Sequence, residues 1–205
     1  MSEDDSKFGT LSSKLEDDEF VIEKKFFSLG NEYDIKDSNR KLVGFCQEKS
    51  LKLRGDLRVF KDEDKTEELF RIKQQNFLDL TGTFQVIDKK NEQTIGYLKR
   101  NWTKSLVLGE WIILDGQEEP IGKAIEDSLV KEAIRFKGLK VLPYRYKLYH
   151  RGEKVGVCKE RLTLLKNEYK LQIETELAQD LDNRLLLSLA LLIDVVEKKF
   201  KKIGK

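Results

Sequence analysis

Near its end the chain carries one greasy run, Leu185-Leu-Leu-Ser-Leu-Ala-Leu-Leu192-Ile193, which continues through Asp194 to Val196. Asp180-Leu-Asp182 stands before it and Glu197-Lys198-Lys199 after it. Leucine and alanine favour helix, and a helix that is apolar on every side must be buried on every side. Lipid is a poor host for it. The uncharged stretch Leu185–Ile193 has nine residues, whereas a span needs about 20. A core helix over about 180–199 is therefore predicted, a rod of ~25 Å at 1.5 Å per residue.

What precedes this helix reads as strands. A hairpin unit recurs, in which an aromatic or β-branched strand leads through a polar turn to a strand opening with a branched residue and Gly. Tyr33–Asp37 leads to Leu42-Val-Gly44-Phe-Cys46, and Phe84–Asp88 leads to Thr94-Ile-Gly96-Tyr-Leu98. Trp111–Asp115 leads to Pro120-Ile-Gly122-Lys-Ala124, and Tyr146–His150 leads to Lys154-Val-Gly156-Val-Cys158. Leu57–Lys61 with Leu69–Ile72 is a fifth copy without the Gly. With Phe20–Phe27 and Tyr169–Ile173 the expectation is about twelve strands. Segment 127–143 stays open between a short helix and a strand. Residues two apart share a face, so Gly44/Cys46, Gly96/Leu98, Gly122/Ala124 and Gly156/Cys158 form matching pairs. If these faces point inward they leave room for one axial helix. The predicted fold class is mainly β: a closed antiparallel barrel of about twelve strands enclosing a central hydrophobic C-terminal helix. Closure removes sheet edges and suits a monomer.

Charge is spread unevenly. Residues 1–19 hold seven acids against two lysines, −5, so with +2 overall the remainder carries +7. Such an acidic segment buries too little apolar surface to fold alone. We expect a disordered tail over 1–19 and a single domain over 20–205. The acidic N-terminus has no apolar signal region, and Cys46 and Cys158 do not make a disulfide framework. A cytoplasmic protein, peripheral to membranes at most, is expected.

The best binding candidate is a basic stretch, Arg135, Lys137, Lys140, Arg145, Lys147, Arg151 and Lys154, with one acid, Glu153, among them. Phe136, Tyr144, Tyr146 and Tyr149 are interleaved. Alternation turns Tyr144, Tyr146 and Leu148 to the core and Arg145, Lys147 and Tyr149 outward. Cations so placed hold phosphates by charge-assisted hydrogen bonds. The partner is then an anionic lipid surface or, less favoured, nucleic acid or another protein on the same basic face; the competing reading is an ordinary solvated β-surface. Lys198, Lys199, Lys201, Lys202 and Lys205 complement the helix dipole or, with Phe200 and Ile203, touch a membrane. Asp182 or Asp180 is placed to cap the helix. Leu185, Leu189, Leu192 and Ile193 belong to its buried core, and Asp194 needs a partner there, an inward Arg or Lys or the barrel mouth. A nucleophilic cysteine needs a base, and His150 is the one histidine; no catalytic constellation is evident, so no enzyme is expected.

The hairpins opening with Val/Ile-Gly, with Asp180-Leu-Asp182 and Leu192-Ile193-Asp194 in a final apolar helix, resemble the phospholipid scramblase and LURP-one-related proteins. That superfamily has the tubby C-terminal fold, a twelve-stranded antiparallel barrel around a central helix. The likeness covers roughly 20–200, and the LURP-one-related branch is nearer. It implies anionic or phosphoinositide headgroup binding, with lipid scrambling as the alternative activity. It also implies a weak calcium site just before the final helix, at Glu174, Glu176, Asp180 and Asp182, although the segment lacks EF-hand spacing. No other cofactor is implied.

Overall fold

The structure is a computed structural model. It describes residues 15, 17–25, 30–48, 56–75, 82–101, 109–127, 143–162, 167–174 and 176–197. Twelve strands close into one antiparallel barrel: β1 Glu19–Lys25, β2 Glu32–Lys36, β3 Leu42–Glu48, β4 Asp56–Phe60, β5 Glu68–Gln74, β6 Thr83–Asp88, β7 Thr94–Arg100, β8 Glu110–Leu114, β9 Pro120–Glu126, β10 Arg145–His150, β11 Glu153–Leu162 and β12 Asn167–Ile173. Each pairs with its neighbours in the chain, and β12 closes on β1 through Phe20↔Leu171 and Ile22↔Tyr169. All twelve predicted strands are present.

Helix α1, Asn183–Leu192, threads the barrel. Every residue from Leu185 to Val195 is buried, so the core positions Leu185, Leu189, Leu192 and Ile193 lie where the sequence places them. The α-helix is shorter than predicted. Asp182 stops it at one end, its carboxylate accepting from the Arg184 backbone N–H at 2.9 Å as a helix cap does. At the other end the chain widens into a π turn, Ile193–Glu197. Direction along the barrel is set by ion pairs. Arg184 at the helix start reaches Asp88, at the end of β6, at 2.9 Å. Asp194 reaches Lys24 near the end of β1 at 2.6 Å. The two mouths are thus distinct: the five hairpin turns lie beside the helix start, and the remaining connections join strand ends beside its finish.

The five turns share one chemistry. Arg40, Lys65, Glu92, Glu118 and Arg151 all adopt positive φ. In four of the turns an Asp closes the loop by accepting from backbone N–H groups further on: Asp37 from Asn39 and Lys41, Asp62 from Thr66, Asp88 from Lys90, and Asp115 from Gln117 and Glu119. The fifth turn replaces the Asp with His150 and closes through Arg151-Gly152, both with positive φ.

The strand glycines have a different cause from the one the sequence suggested. Their faces do point inward, with Cys46, Leu98, Ala124 and Cys158 buried. Only Gly96 of the four has the helix among its closest neighbours: a Cβ there would lie 3.1 Å from Leu185 Cδ1. The tighter contact is sideways. A Cβ on Gly96 would sit 2.4 Å from the Leu114 carbonyl oxygen, and one on Gly156 2.4 Å from that of Gln172. Each Gly also faces the residue at which its hairpin shifts register: Ile35, Val86, Ile113 and Leu148. The glycines thus accommodate a repeated bulge against the next strand.

Leu189 is fully buried in the threaded helix. Leu189→Ala should lower stability by about 2–5 kcal/mol, and Leu189→Asp should abolish the cooperative melt followed by circular dichroism, because an unpaired charge is then buried.

Candidate anion-binding surface

The sequence treats Arg135–Lys154 as one basic face. Arg135, Lys137 and Lys140 lie outside the described residues, as do Lys198, Lys199, Phe200, Lys201, Lys202, Ile203 and Lys205. The other four split between the two ends of the β10–β11 hairpin. Arg145 and Lys147, at the beginning of β10, point outward and share the buried Asp127, at 3.5 and 3.3 Å. Arg151 and Lys154, at the turn, pair with Asp180 at 2.8 Å and Glu174 at 3.1 Å. Tyr144, Tyr146 and Leu148 are buried as the alternation requires.

Strand pairing builds a row that the linear sequence hides. Arg145 stands opposite Lys159 on β11, and Lys159 opposite Lys170 on β12. The row continues to Val21 on β1 and Lys36 on β2. Flanking Lys159 and Lys170, the side chains of Cys158, Glu160, Tyr169 and Leu171 are buried, which leaves both lysines facing outward. Lys170 is tied to Glu19 at 2.7 Å and Lys36 to Glu23 at 3.0 Å. Lys159 forms no ion pair among the described residues, between two cations directly opposite it. Like charges so placed cost a sheet roughly 0.2–1 kcal/mol. The alternation of Lys159 between Cys158 and Glu160 was readable; Lys170 required the knowledge that β12 lies beside β11.

The acids named for calcium are not brought together. Glu174 and Asp180 are held by Lys154 and Arg151, Asp182 caps the helix and binds its own Arg184 guanidinium at 2.6 Å, and Glu176 is exposed. Among the described residues no group of three or more His, Cys, Asp or Glu side chains is arranged to hold a metal. The two thiols are buried apart on β3 and β11; burial pushes Cys46 upward and Cys158 up to about 12. His150 is buried, its Nδ1 donating to the Ile121 carbonyl at 2.7 Å.

The family model for LURP-one-related proteins matches residues 18–194. This chain belongs to the LURP-one-related family. Among curated proteins none matches the sequence. A crystal structure of an Arabidopsis thaliana protein is similar at 11% identity, with a TM-score of 0.47, over 86% of this chain and 91% of that one.

In this LURP-one-related barrel the helix end is held by a buried polar cluster. Asp194 is 1% exposed. It accepts from Lys24 Nζ at 2.6 Å, from the Tyr33 hydroxyl at 2.6 Å, and from the Tyr169 hydroxyl. The Tyr169 oxygen lies 3.2 Å from Glu160, whose other oxygen accepts from the Tyr144 backbone N–H at 3.1 Å. The sequence asked for an inward cation or the barrel mouth, and Lys24 at the mouth supplies both. It did not foresee the two tyrosines. At the opposite mouth Leu15 is buried and Asp17 accepts from Ser38, so both have defined places although the sequence assigns them to the tail. Residues 1–14 and 16 lie outside the described ones.

Burial first, then the Asp194 charge, push both tyrosine hydroxyls well above their ordinary value of 10.0. A raised folded-state value means that stability is intact below the unfolded-state value and is lost as pH rises above it. Stability should therefore decline above pH ~10 as the unfolded chain alone ionises. Tyr33→Phe and Tyr169→Phe should each flatten that decline, as measured by urea melts across alkaline pH.

Proposed function

We propose that this LURP-one-related chain is a non-enzymatic module that binds anionic phospholipid headgroups at a cytoplasmic membrane surface. The observation that carries this reading is the cross-strand row Arg145, Lys159 and Lys170, with Lys147 beside it. A sheet gains nothing from setting three cations opposite one another. The repulsion is repaid when an anion bridges them, because each phosphate oxygen then accepts charge-assisted hydrogen bonds from ammonium or guanidinium donors. Neighbouring strands lie about 4.8 Å apart, so three adjacent cations address more than one phosphate oxygen. Near an anionic bilayer each such cation contributes about 1 kcal/mol.

A surface that serves only the fold and one that serves a ligand respond oppositely to one substitution. Lys159→Glu creates opposite-charge pairs with Arg145 and Lys170. It should raise stability by a few tenths of a kcal/mol. The same change should weaken sedimentation with vesicles of phosphatidylcholine and phosphatidylserine, and the remaining binding should be less sensitive to salt. Lys159→Glu with undiminished vesicle binding would reject the row as the contact. Wild-type binding to nucleic acid without binding to vesicles would move the same cations to a different polyanion. Calcium-dependent vesicle binding would return attention to the acids before the helix.

A further inference from the structure

The outer wall of β7–β11 is built differently from the wall of β1–β5. Lys99 on β7 stands opposite Ile112 on β8, Ile112 opposite Lys123 on β9, and Lys123 opposite Tyr149 on β10. Two residues further along β9, Ile125 stands opposite Lys147, and Lys147 opposite Val157 on β11. Their chain neighbours Leu98, Trp111, Ile113, Ala124 and Leu148 are fully buried, so these side chains face outward. Lys99 and Lys123 are exposed, while Ile112, Ile125, Tyr149 and Val157 are half-buried. The wall is thus a checkerboard in which each apolar side chain has a cation beside it.

Three of these lysines are not consumed internally. Lys99, Lys123 and Lys159 form no ion pair among the described residues. Lys123 Nζ lies 6.0 Å from the centre of the Tyr149 ring. Glu110, the acid opposite Ile125, is buried and accepts from the Asn101 amide at 2.9 Å. The wall of β1–β5 shows the other arrangement: Lys25 pairs with Asp34, Lys36 with Glu23, Arg58 with Asp56 and Arg71 with Glu68. A face that meets only water gains by such cross-strand pairs. Free ammonium groups interleaved with aliphatic and tyrosyl side chains suit an anionic lipid interface instead, the cations at the phosphates and the apolar groups between the headgroups.

Shape agrees with this division. At about 4.8 Å per strand, β7–β11 measure ~19 Å across. The wall is convex and a bilayer surface is flat. The long lysines Lys99 and Lys159 stand on the two marginal strands and reach past the curvature, whereas Ile112, Ile125 and Tyr149 occupy β8, β9 and β10 at the crest. Resting on the headgroup reading above, we infer that the barrel lies on its side against an anionic bilayer, with β9 at the centre of the contact, Lys99, Lys123 and Lys159 at the phosphates, and Ile112, Ile125 and Tyr149 entering the interface. The Arg145–Lys159–Lys170 row forms one flank of this footprint.

Two measurements on the full chain separate this inference from the reading beneath it. The first is sedimentation with vesicles of phosphatidylcholine and phosphatidylserine. Lys73 on β5 is exposed and also forms no ion pair among the described residues, so Lys73→Glu makes the same change of net charge outside the footprint. Lys99→Glu and Lys123→Glu should each weaken binding by about fivefold or more, and Lys73→Glu by less than about twofold. The second uses an environment-sensitive fluorophore on a single introduced cysteine, since Cys46 and Cys158 are buried. Ile112→Cys reports from the footprint, and Gln47→Cys from β3, six strands from β9 either way round the barrel. Emission from the first label should shift to the blue on vesicles and that from the second should not. If Lys159→Glu weakens binding while Lys99→Glu and Lys123→Glu leave it intact, the side-on footprint is wrong and the headgroup reading stands. Equal losses in Lys73→Glu and Lys123→Glu, an unshifted Ile112→Cys label on bound protein, or a shifted Gln47→Cys label would overturn the footprint as well. A wild-type chain that does not sediment with the vesicles would remove both.

Discussion

The architecture depends on a carboxylate that sits where a carboxylate is expensive. Asp194 lies at the finish of an otherwise apolar helix, inside the barrel, 1% exposed. A bare charge there would cost several kcal/mol. It is tolerated because Lys24 from β1, Tyr33 from β2 and Tyr169 from β12 converge on its two oxygens. Those three strands are the ones at which the barrel closes. The first strands, the last strand and the helix thus hold one another through a single polar knot, while dispersion and apolar burial fill the rest of the interior. The π turn belongs to this knot, for it is the segment of the helix on which the carboxylate stands.

The same dependence explains what could be learned from the chain in one dimension. Period-two alternation and turn chemistry are local, so all twelve strands and the inward faces of Tyr144, Tyr146 and Leu148 were legible. The Asp182 cap was legible too, because it needs only the next two residues. The reason for the glycines was not. A hairpin pattern does not reveal that the Leu114 carbonyl approaches Gly96 from the following strand. Basic residues close in sequence gave a misleading unit: Arg145 and Arg151 belong to opposite ends of one hairpin and answer to different acids. Lys159 and Lys170, separated by the β11–β12 connection, stand side by side only once the strands pair.

Charge on this protein is mostly spent internally. Glu23 and Glu168 share Arg40, whose positive-φ backbone at the β2–β3 turn aims its guanidinium at both. Arg71 forks onto Glu68 through two hydrogen bonds. Arg184 is pulled between Asp182 and Asp88, and although burial works against its charge these partners hold it protonated. Cations also stand opposite one another at Arg58 and Arg71, but each of those is paired with an acid, Asp56 or Glu68. Lys159 has a cation on either side and no ion pair of its own among the described residues, and that combination marks the wall of β10, β11 and β12.

A closed barrel plugged by its own helix has no free sheet edge and leaves its ligand contacts to the outer wall and the mouths. The start of the helix is sealed by tight turns, each closed by its own Asp or by Arg151-Gly152, and polar throughout. The strand ends beside the helix finish are joined by connections that are in most cases longer, and whose sequences are more apolar and more basic. Variation in the long connections costs the barrel little, because loop length enters stability only weakly, whereas the short turns are pinned by positive φ and by the carboxylates that close them. The fold therefore gathers the turns pinned by hairpin closure at one mouth and joins the strand ends at the other through the longer connections.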